Sequence, residues 1–253
     1  MKQLVKRFLL KTCATLCKDV GGKILYYHDV FSTTRYTTMG TPVDLFRLHI
    51  AAAKESGFIF IKDVPVNDWE LQICFDDGFR GIWDCKELLM SEHISPTVYI
   101  APGLVGGNGY LCWHEIIELQ KMGFRFENHT WSHRPLTLVP QSDFKHEIVD
   151  SKKCIEDKIG HSVTQLCFPC GFFSRSVLDF CNGVGYKYLL TSVPGSTATA
   201  EKHGFRNMVG QYTRLLPRTL VQAYNMNEFR AVLKGALLPF AGRYFRRHFH
   251  KDT

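Results

Sequence analysis

The 253-residue chain has no apolar stretch approaching the roughly 20 residues that a helix needs to cross a bilayer. It has no internal repeat and no low-complexity segment, which sets aside solenoids and disordered linkers. A strong charge of either sign is also missing. The net charge of +7 falls short of the bias of a nucleic-acid binder, so no nucleic acid is expected; it favours anionic partners such as phosphorylated ligands or an acidic membrane surface. Nine cysteines are present (Cys13, Cys17, Cys74, Cys85, Cys112, Cys154, Cys167, Cys170 and Cys181), an odd number without the regular framing of a disulfide scaffold. Several lie inside apolar runs, where a thiol behaves as a small hydrophobe, so a reducing compartment is expected. Lys6, Arg7 and Lys11 interrupt the N-terminal apolar residues, which argues against a secretory leader. The expected location is cytoplasmic, at most against the inner membrane surface.

What is present is a core-forming composition, 45% hydrophobic, long enough for a single α/β domain. Strand-like runs at 23–30, 71–78, 96–102, 124–129, 164–171 and 186–192 alternate with helical periodicity at 43–58, 79–92, 112–123, 143–160, 174–185 and 226–238. This alternation predicts a mostly parallel sheet, closed or partly closed into a barrel. Three segments are expected: a basic amphipathic stretch (1–22), a catalytic domain (23–225), and a final helix with a basic aromatic tail (226–253). The tail "LLPFAGRYFRRHFHK" is expected to be solvated, with an amphipathic anchor to an anionic membrane as the functional alternative. The glycine-rich stretch 103–111 is expected to be a surface loop.

Polar residues cluster where the strands end: His28, the adjacent Asp76 and Asp77, His129, and Cys170 before Gly171. In parallel α/β folds this edge binds ligands. Two neighbouring carboxylates after a buried strand repel each other, and a cation is the obvious compensation. "ENHTWSH" sets His129 and His133 four apart, which on a helical turn puts both imidazoles on one face. Two histidines and one carboxylate make a three-ligand metal site with open positions, and the second carboxylate is then free to act as a base. The alternative chemistry in Cys167-Phe168-Pro169-Cys170, a thiol redox pair or half a zinc site, lacks a second C-x-x-C. His49, His93, His114, His146 and His161 are expected to be solvated, and Trp113 to pack.

"CFDDGF" and "GFRFENHTWSH" together resemble the polysaccharide deacetylases, the carbohydrate esterases with a NodB-homology domain, whose hallmarks are T-F-D-D-G and H-S/T-x-x-H. "ILYYHDV" is similar to the early Y-H segment of one branch, and "LCFPCGFFS" to its third motif; the likeness extends over about 23–220. It implies a single-domain distorted (β/α) barrel of the NodB type. It also implies a divalent ion, zinc by default with cobalt or nickel as alternatives, held by Asp77, His129 and His133. Asp76 would be the general base, and the Cys170 backbone N–H would face the oxyanion. Trp131, between the two histidines, is expected to pack like Trp113, with a place lining a sugar subsite as the functional alternative.

The chain departs from the pattern in three places. Cys74 replaces the threonine of the first motif. Cys167 stands where many relatives carry an arginine that holds the base. The late L-x-H motif, whose histidine is the usual acid, has no counterpart in "TRLLPRTLV". His28 is the candidate replacement for the acid, and Arg214 or Arg218 for the arginine. The implied activity is removal of an acetyl group, by default N-acetyl, from a sugar in surface-polysaccharide synthesis; the alternative is a non-catalytic carbohydrate-binding relative. Nucleotide-linked, lipid-linked and oligomeric sugars remain open as substrates.

Overall fold

A nine-stranded parallel sheet forms the centre of the computed structural model, which describes residues 2–17, 19–202 and 205–252. Eight strands follow one path: β1 (Lys23–Tyr27), β2 (Glu70–Phe75), β3 (Thr97–Ile100), β4 (Arg125–Asn128), β5 (Gln165–Cys167), β6 (Tyr188–Leu190), β7 (Arg214–Leu216) and β8 (Thr219–Leu220). Their spatial order is β7-β6-β5-β4-β3-β2-β1-β8. The short strand Ile59–Phe60 pairs with the start of β2, whose end pairs with β3. The sheet curls because one segment serves both its ends. Residues 214–216 pair with β6, residues 219–220 pair with β1, and Pro217, which has no N–H for a ladder, marks the switch. The result is the distorted parallel barrel expected from the sequence.

Strand alternation divides the buried residues into two layers. Ile24, Tyr26, Cys74, Tyr99, Cys167, Leu190 and Leu216 cluster inside the barrel. Leu25, Tyr27, Ile73, Phe75, Val98, Leu166 and Leu189 point outward into the larger core beneath the helices. The interior also holds paired polar groups. Gln72 donates to Thr97 Oγ1 at 2.9 Å, and the Tyr99 hydroxyl donates to Gln165 Oε1 at 2.6 Å.

The helices differ from expectation in instructive ways. The helix expected over 79–92 is split at Cys85 into Gly81–Asp84 and Lys86–Ser91. Gly81 meets the Val30 carbonyl and the Asp29 carboxylate so closely that no side chain fits there. The helix expected over 143–160 starts as a π-helix, Lys145–Asp150, before regular helix Ser151–Ile159. The late helix spans Met226–Leu233, capped by Asn225, and ends before the expected 238. The tail is folded, with Arg243, Arg246, Arg247 and Lys251 exposed as expected and its apolar side packed. Helix Ala241–His248 leads into strand Phe249–His250, which pairs with Phe173–Ser174. Phe245 meets Phe173 edge-on and Phe249 packs on it at a tilt, and Asp252 accepts from Ser176 N at 3.0 Å. The apolar face of this helix therefore packs on its own domain. Among the described residues no helix is long and apolar enough to cross a membrane.

His49 is a correction. It is fully buried on helix Val43–Glu55, stacked on Phe229 at 4.1 Å. Its Nε2–H donates to the Tyr224 carbonyl at 2.8 Å, which leaves Nδ1 to accept from the Tyr27 hydroxyl at 3.0 Å. Burial pushes its pKa down to about 4 from 6.5. A depressed histidine pKa means that its contribution is complete above pH 6.5 and is lost as pH falls toward 4. Asp29 and Glu127, pushed up to about 7 by burial, titrate in the opposite sense, so the test is a difference. In urea unfolding, the stability gap between wild type and His49→Gln should shrink by about 3 kcal/mol from pH 7.5 to pH 4. A gap that does not change with pH would refute a neutral buried His49.

Candidate active site and metal centre

The end of β2 builds the first half of the site. Alternation puts Asp76 on the inward face shared with Cys74, and its N–H continues the ladder to the Tyr27 carbonyl at 3.0 Å. Asp77 then takes a left-handed conformation, φ 72°, followed by Gly78 at φ 76°. This turn separates the two carboxylates. Asp76 faces into the barrel, while Asp77 faces the histidine loop after β4.

Asp76 is bound bidentately by Arg218, with Nη1 to Oδ1 at 2.7 Å and Nη2 to Oδ2 at 2.8 Å. Both side chains are sealed from solvent. Arg218 follows Pro217 at the turn between β7 and β8. Its Nε donates to the Thr191 carbonyl at 3.2 Å, and its guanidinium lies 4.2 Å from the Tyr26 ring centre. Burial alone would raise the Asp76 pKa, but Arg218 reverses this and holds it below the usual carboxylate range. Arg214, the other candidate, begins β7 and lies at the opposite end of that strand from the turn. Cys167 explains the exchange. Its buried sulfur accepts from Arg218 Nη2 at 2.8 Å, so the guanidinium enters from the barrel seam beside a small side chain at the third-motif position.

His129 follows β4 directly. Its Nδ1 donates to the Cys167 carbonyl at 2.7 Å, which fixes the tautomer and leaves a lone pair on Nε2. That Nε2 lies 3.3 Å from Asp77 Oδ1, and the Nε2 of His133 lies 2.9 Å from the same oxygen. The helical turn expected between the histidines is absent. Residues 129–133 form a loop in which Thr130 (φ 66°) and His133 (φ 61°) are left-handed, and this brings the two rings to 4.8 Å.

The three groups fit a cation. Asp77 Oδ1 is buried and has no hydrogen-bond partner among the described residues. What faces it is the committed lone pair of His129 and a second imidazole, an arrangement that a positive ion between them satisfies. A neighbouring cluster, Asp76, His129 and Cys167, also falls within 4.8 Å, but Arg218 already occupies both Asp76 oxygens and burial keeps the Cys167 thiol protonated. Asp77, His129 and His133 are therefore the candidate ligands.

Cys170 forms the opposite lip, in a tight turn over Pro169–Gly171, with φ 57°. Gly171 follows at φ 70° against Ser192, where an added Cβ would lie 2.5 Å from the Ser192 Cβ. His28, after β1, is half-buried, and its Nδ1 donates to Gln222 Oε1 at 2.6 Å. Trp131 is half-buried, with its indole 4.6 Å from the His146 ring. His28, Asp76, Asp77, His129, Trp131, His133, Cys170 and Arg218 thus lie where strands end at the C-terminal edge of the barrel, and Arg214, at the start of β7, does not. Sequence reasoning missed Gln222, which no motif marks, and Tyr110. The 103–111 loop does more than cover surface. Leu111 N donates to Gly78 O and Gly103 N to Trp131 O, each at 2.9 Å, so it bridges the aspartate and histidine loops and stacks Tyr110 on Phe79. The alternation that marks strands says nothing about such a bridge.

Comparison with known proteins agrees with this geometry. No curated protein sequence matches the chain. Among solved structures, the Streptococcus pyogenes deacetylase PplD in complex with acetate superposes with a TM-score of 0.69 at 19% identity, over 85% of this chain and 98% of that one. IcaB from Ammonifex degensii gives 0.70 at 17% identity, over 86% and 99%. A polysaccharide deacetylase from Bacillus cereus gives 0.69 at 17% identity, over 85% and 69%. At these identities the likeness speaks for the fold. The sequence profile of the polysaccharide deacetylases matches residues 63–189, half of the chain and the part that carries both aspartates and both histidines. The chain belongs to the polysaccharide deacetylase family, hydrolases that act on carbon–nitrogen bonds.

Proposed function

We propose that the protein is a metal-dependent deacetylase that removes the N-acetyl group of an acetylated sugar. The observation that carries this is the pairing of a buried Asp77 oxygen, on which two imidazole nitrogens converge at 2.9 and 3.3 Å, with an adjacent carboxylate locked ionised by Arg218. Asp77, His129 and His133 would hold a divalent ion, zinc by the family's default, which would supply Lewis acidity toward the acetyl carbonyl and lower the pKa of a water. Asp76, held ionised and fixed by Arg218, would take the proton of the attacking water on an oxygen lone pair that the guanidinium leaves free. The carbonyl carbon becomes tetrahedral, and the Cys170 N–H, presented by its left-handed turn, meets the developing oxyanion. His28, oriented by Gln222, donates a proton to the sugar nitrogen as the carbon–nitrogen bond breaks, leaving acetate and a free amine. Trp131 offers an apolar face for the sugar ring. The net charge of +7 favours an anionic form of the sugar, nucleotide- or lipid-linked, in the assembly of a surface polysaccharide.

Asp76→Asn should retain one equivalent of zinc and lose turnover by about 10²–10⁴-fold, while His129→Ala should lose both. Acetate release and metal content by equilibrium dialysis check this, and a fully active Asp76→Asn would remove Asp76 as the base. His28→Gln should slow amide hydrolysis far more than hydrolysis of an aryl acetate, whose leaving group needs no proton. Equal slowing of both would assign His28 another role. Arg218→Met should destabilise by about 3–5 kcal/mol in urea, since it strands a buried carboxylate, and the added Asp76→Asn change should restore much of the loss. No recovery in the double variant would show that the pair is not coupled in this way.

A further inference from the structure

The loop between the two histidines is held from outside the motifs. Glu147 is almost fully buried and spends its whole carboxylate on this loop. Oε2 accepts from Trp131 N at 3.1 Å and Ser132 N at 3.0 Å, and Oε1 accepts from the Ser132 hydroxyl at 2.6 Å. Both backbone groups lie between left-handed Thr130 and left-handed His133. Such conformations are strained for non-glycine residues and persist only where the surroundings impose them.

Glu147 sits in the π-helix Lys145–Asp150, and this local geometry has its own supports. The Ser151 hydroxyl donates to the Glu147 carbonyl at 2.6 Å, and the Tyr186 hydroxyl donates to the Ile148 carbonyl at 3.0 Å. Asn128, the residue before His129, donates to Ser151 Oγ at 2.8 Å and to Tyr186 OH at 2.7 Å. The wide turn thus reaches both ends of the histidine loop: the Asn128 side-chain amide donates to the Ile148 carbonyl and to the Ser151 and Tyr186 hydroxyls that bond the turn, and Glu147 holds Trp131–Ser132. His146, the preceding residue, packs its ring on Trp131. Single π-turns inside helices recur at functional sites, where they re-aim a side chain.

We infer that Glu147 is a positioning residue that sets the angle at which His133 and His129 present their Nε2 atoms to the cation. This rests on the metal-centre reading above. Glu147→Gln keeps the volume but replaces one acceptor oxygen with an NH₂, which faces either the two N–H groups or the Ser132 hydroxyl. Cobalt affinity, read by chelator competition without substrate, should fall about 10–100-fold, and the cobalt absorption bands should change shape. Ser132→Ala removes one bond and strands no charge, so it should weaken cobalt binding several-fold; it carries the test if Glu147→Gln does not fold. Wild-type affinity and spectrum in the folded variants would overturn the inference while leaving the metal centre intact. A wild-type protein that binds neither cobalt nor zinc would overturn the metal centre itself, and this inference with it.

Discussion

The buried ion pair between Asp76 and Arg218 is the constraint on which the rest of the site depends. A carboxylate and a guanidinium both sealed from water are costly to desolvate, and such a pair persists only when each group is fully satisfied. Here both Asp76 oxygens, the Thr191 carbonyl, the Cys167 sulfur and the Tyr26 ring share the guanidinium. Arg218 also lies in the segment whose two halves pair with opposite ends of the sheet. Curling the sheet and orienting Asp76 are therefore one structural event. With its oxygens engaged by Arg218, Asp76 is the less suited of the two carboxylates to ligate an ion, which leaves Asp77 as the candidate ligand. The division of labour between two identical neighbours is imposed by a residue far along the chain.

The loops around that pair are shaped by unusual backbone rather than by regular structure. Six described non-glycine residues have positive φ, and four of them, Asp77, Thr130, His133 and Cys170, lie at this site. Asp77 and Thr130 turn the chain just after a strand, Cys170 just after Pro169, and His133 at the end of the histidine loop. The cost is borne by short, well-bonded connections such as the 103–111 bridge between Gly78 and Trp131.

Much of this was legible in the sequence, for reasons that can be stated. The strands are apolar runs, and their alternation with helical periodicity leaves few topologies other than a parallel sheet. Asp76, Asp77, His129 and His133 stand out because each pair is local and the two pairs together offer three ligands and a base, whereas H-x-x-x-H alone is commonly two surface histidines. The spacing did not reveal the backbone. Four residues apart suits a helical turn, but a loop with left-handed Thr130 and His133 makes the same approach, and neither residue type advertises it. Arg218 could be narrowed only to one of two arginines, because its contact with Asp76 spans 142 positions. His49 was misplaced among solvated histidines. On the helical face with Phe46, Ile50 and Ala53 its position was readable, but the Tyr27 and Tyr224 groups that satisfy it come from distant segments.

The most direct test of this account is an anomalous-scattering map at the zinc edge from a crystal of the zinc-loaded protein. The account predicts one peak about 2.0–2.2 Å from an Asp77 oxygen and from Nε2 of both His129 and His133, with Asp76 still paired to Arg218. A peak ligated by Asp76 or the Cys167 sulfur, or no peak between Asp77 and the two imidazoles, would contradict it.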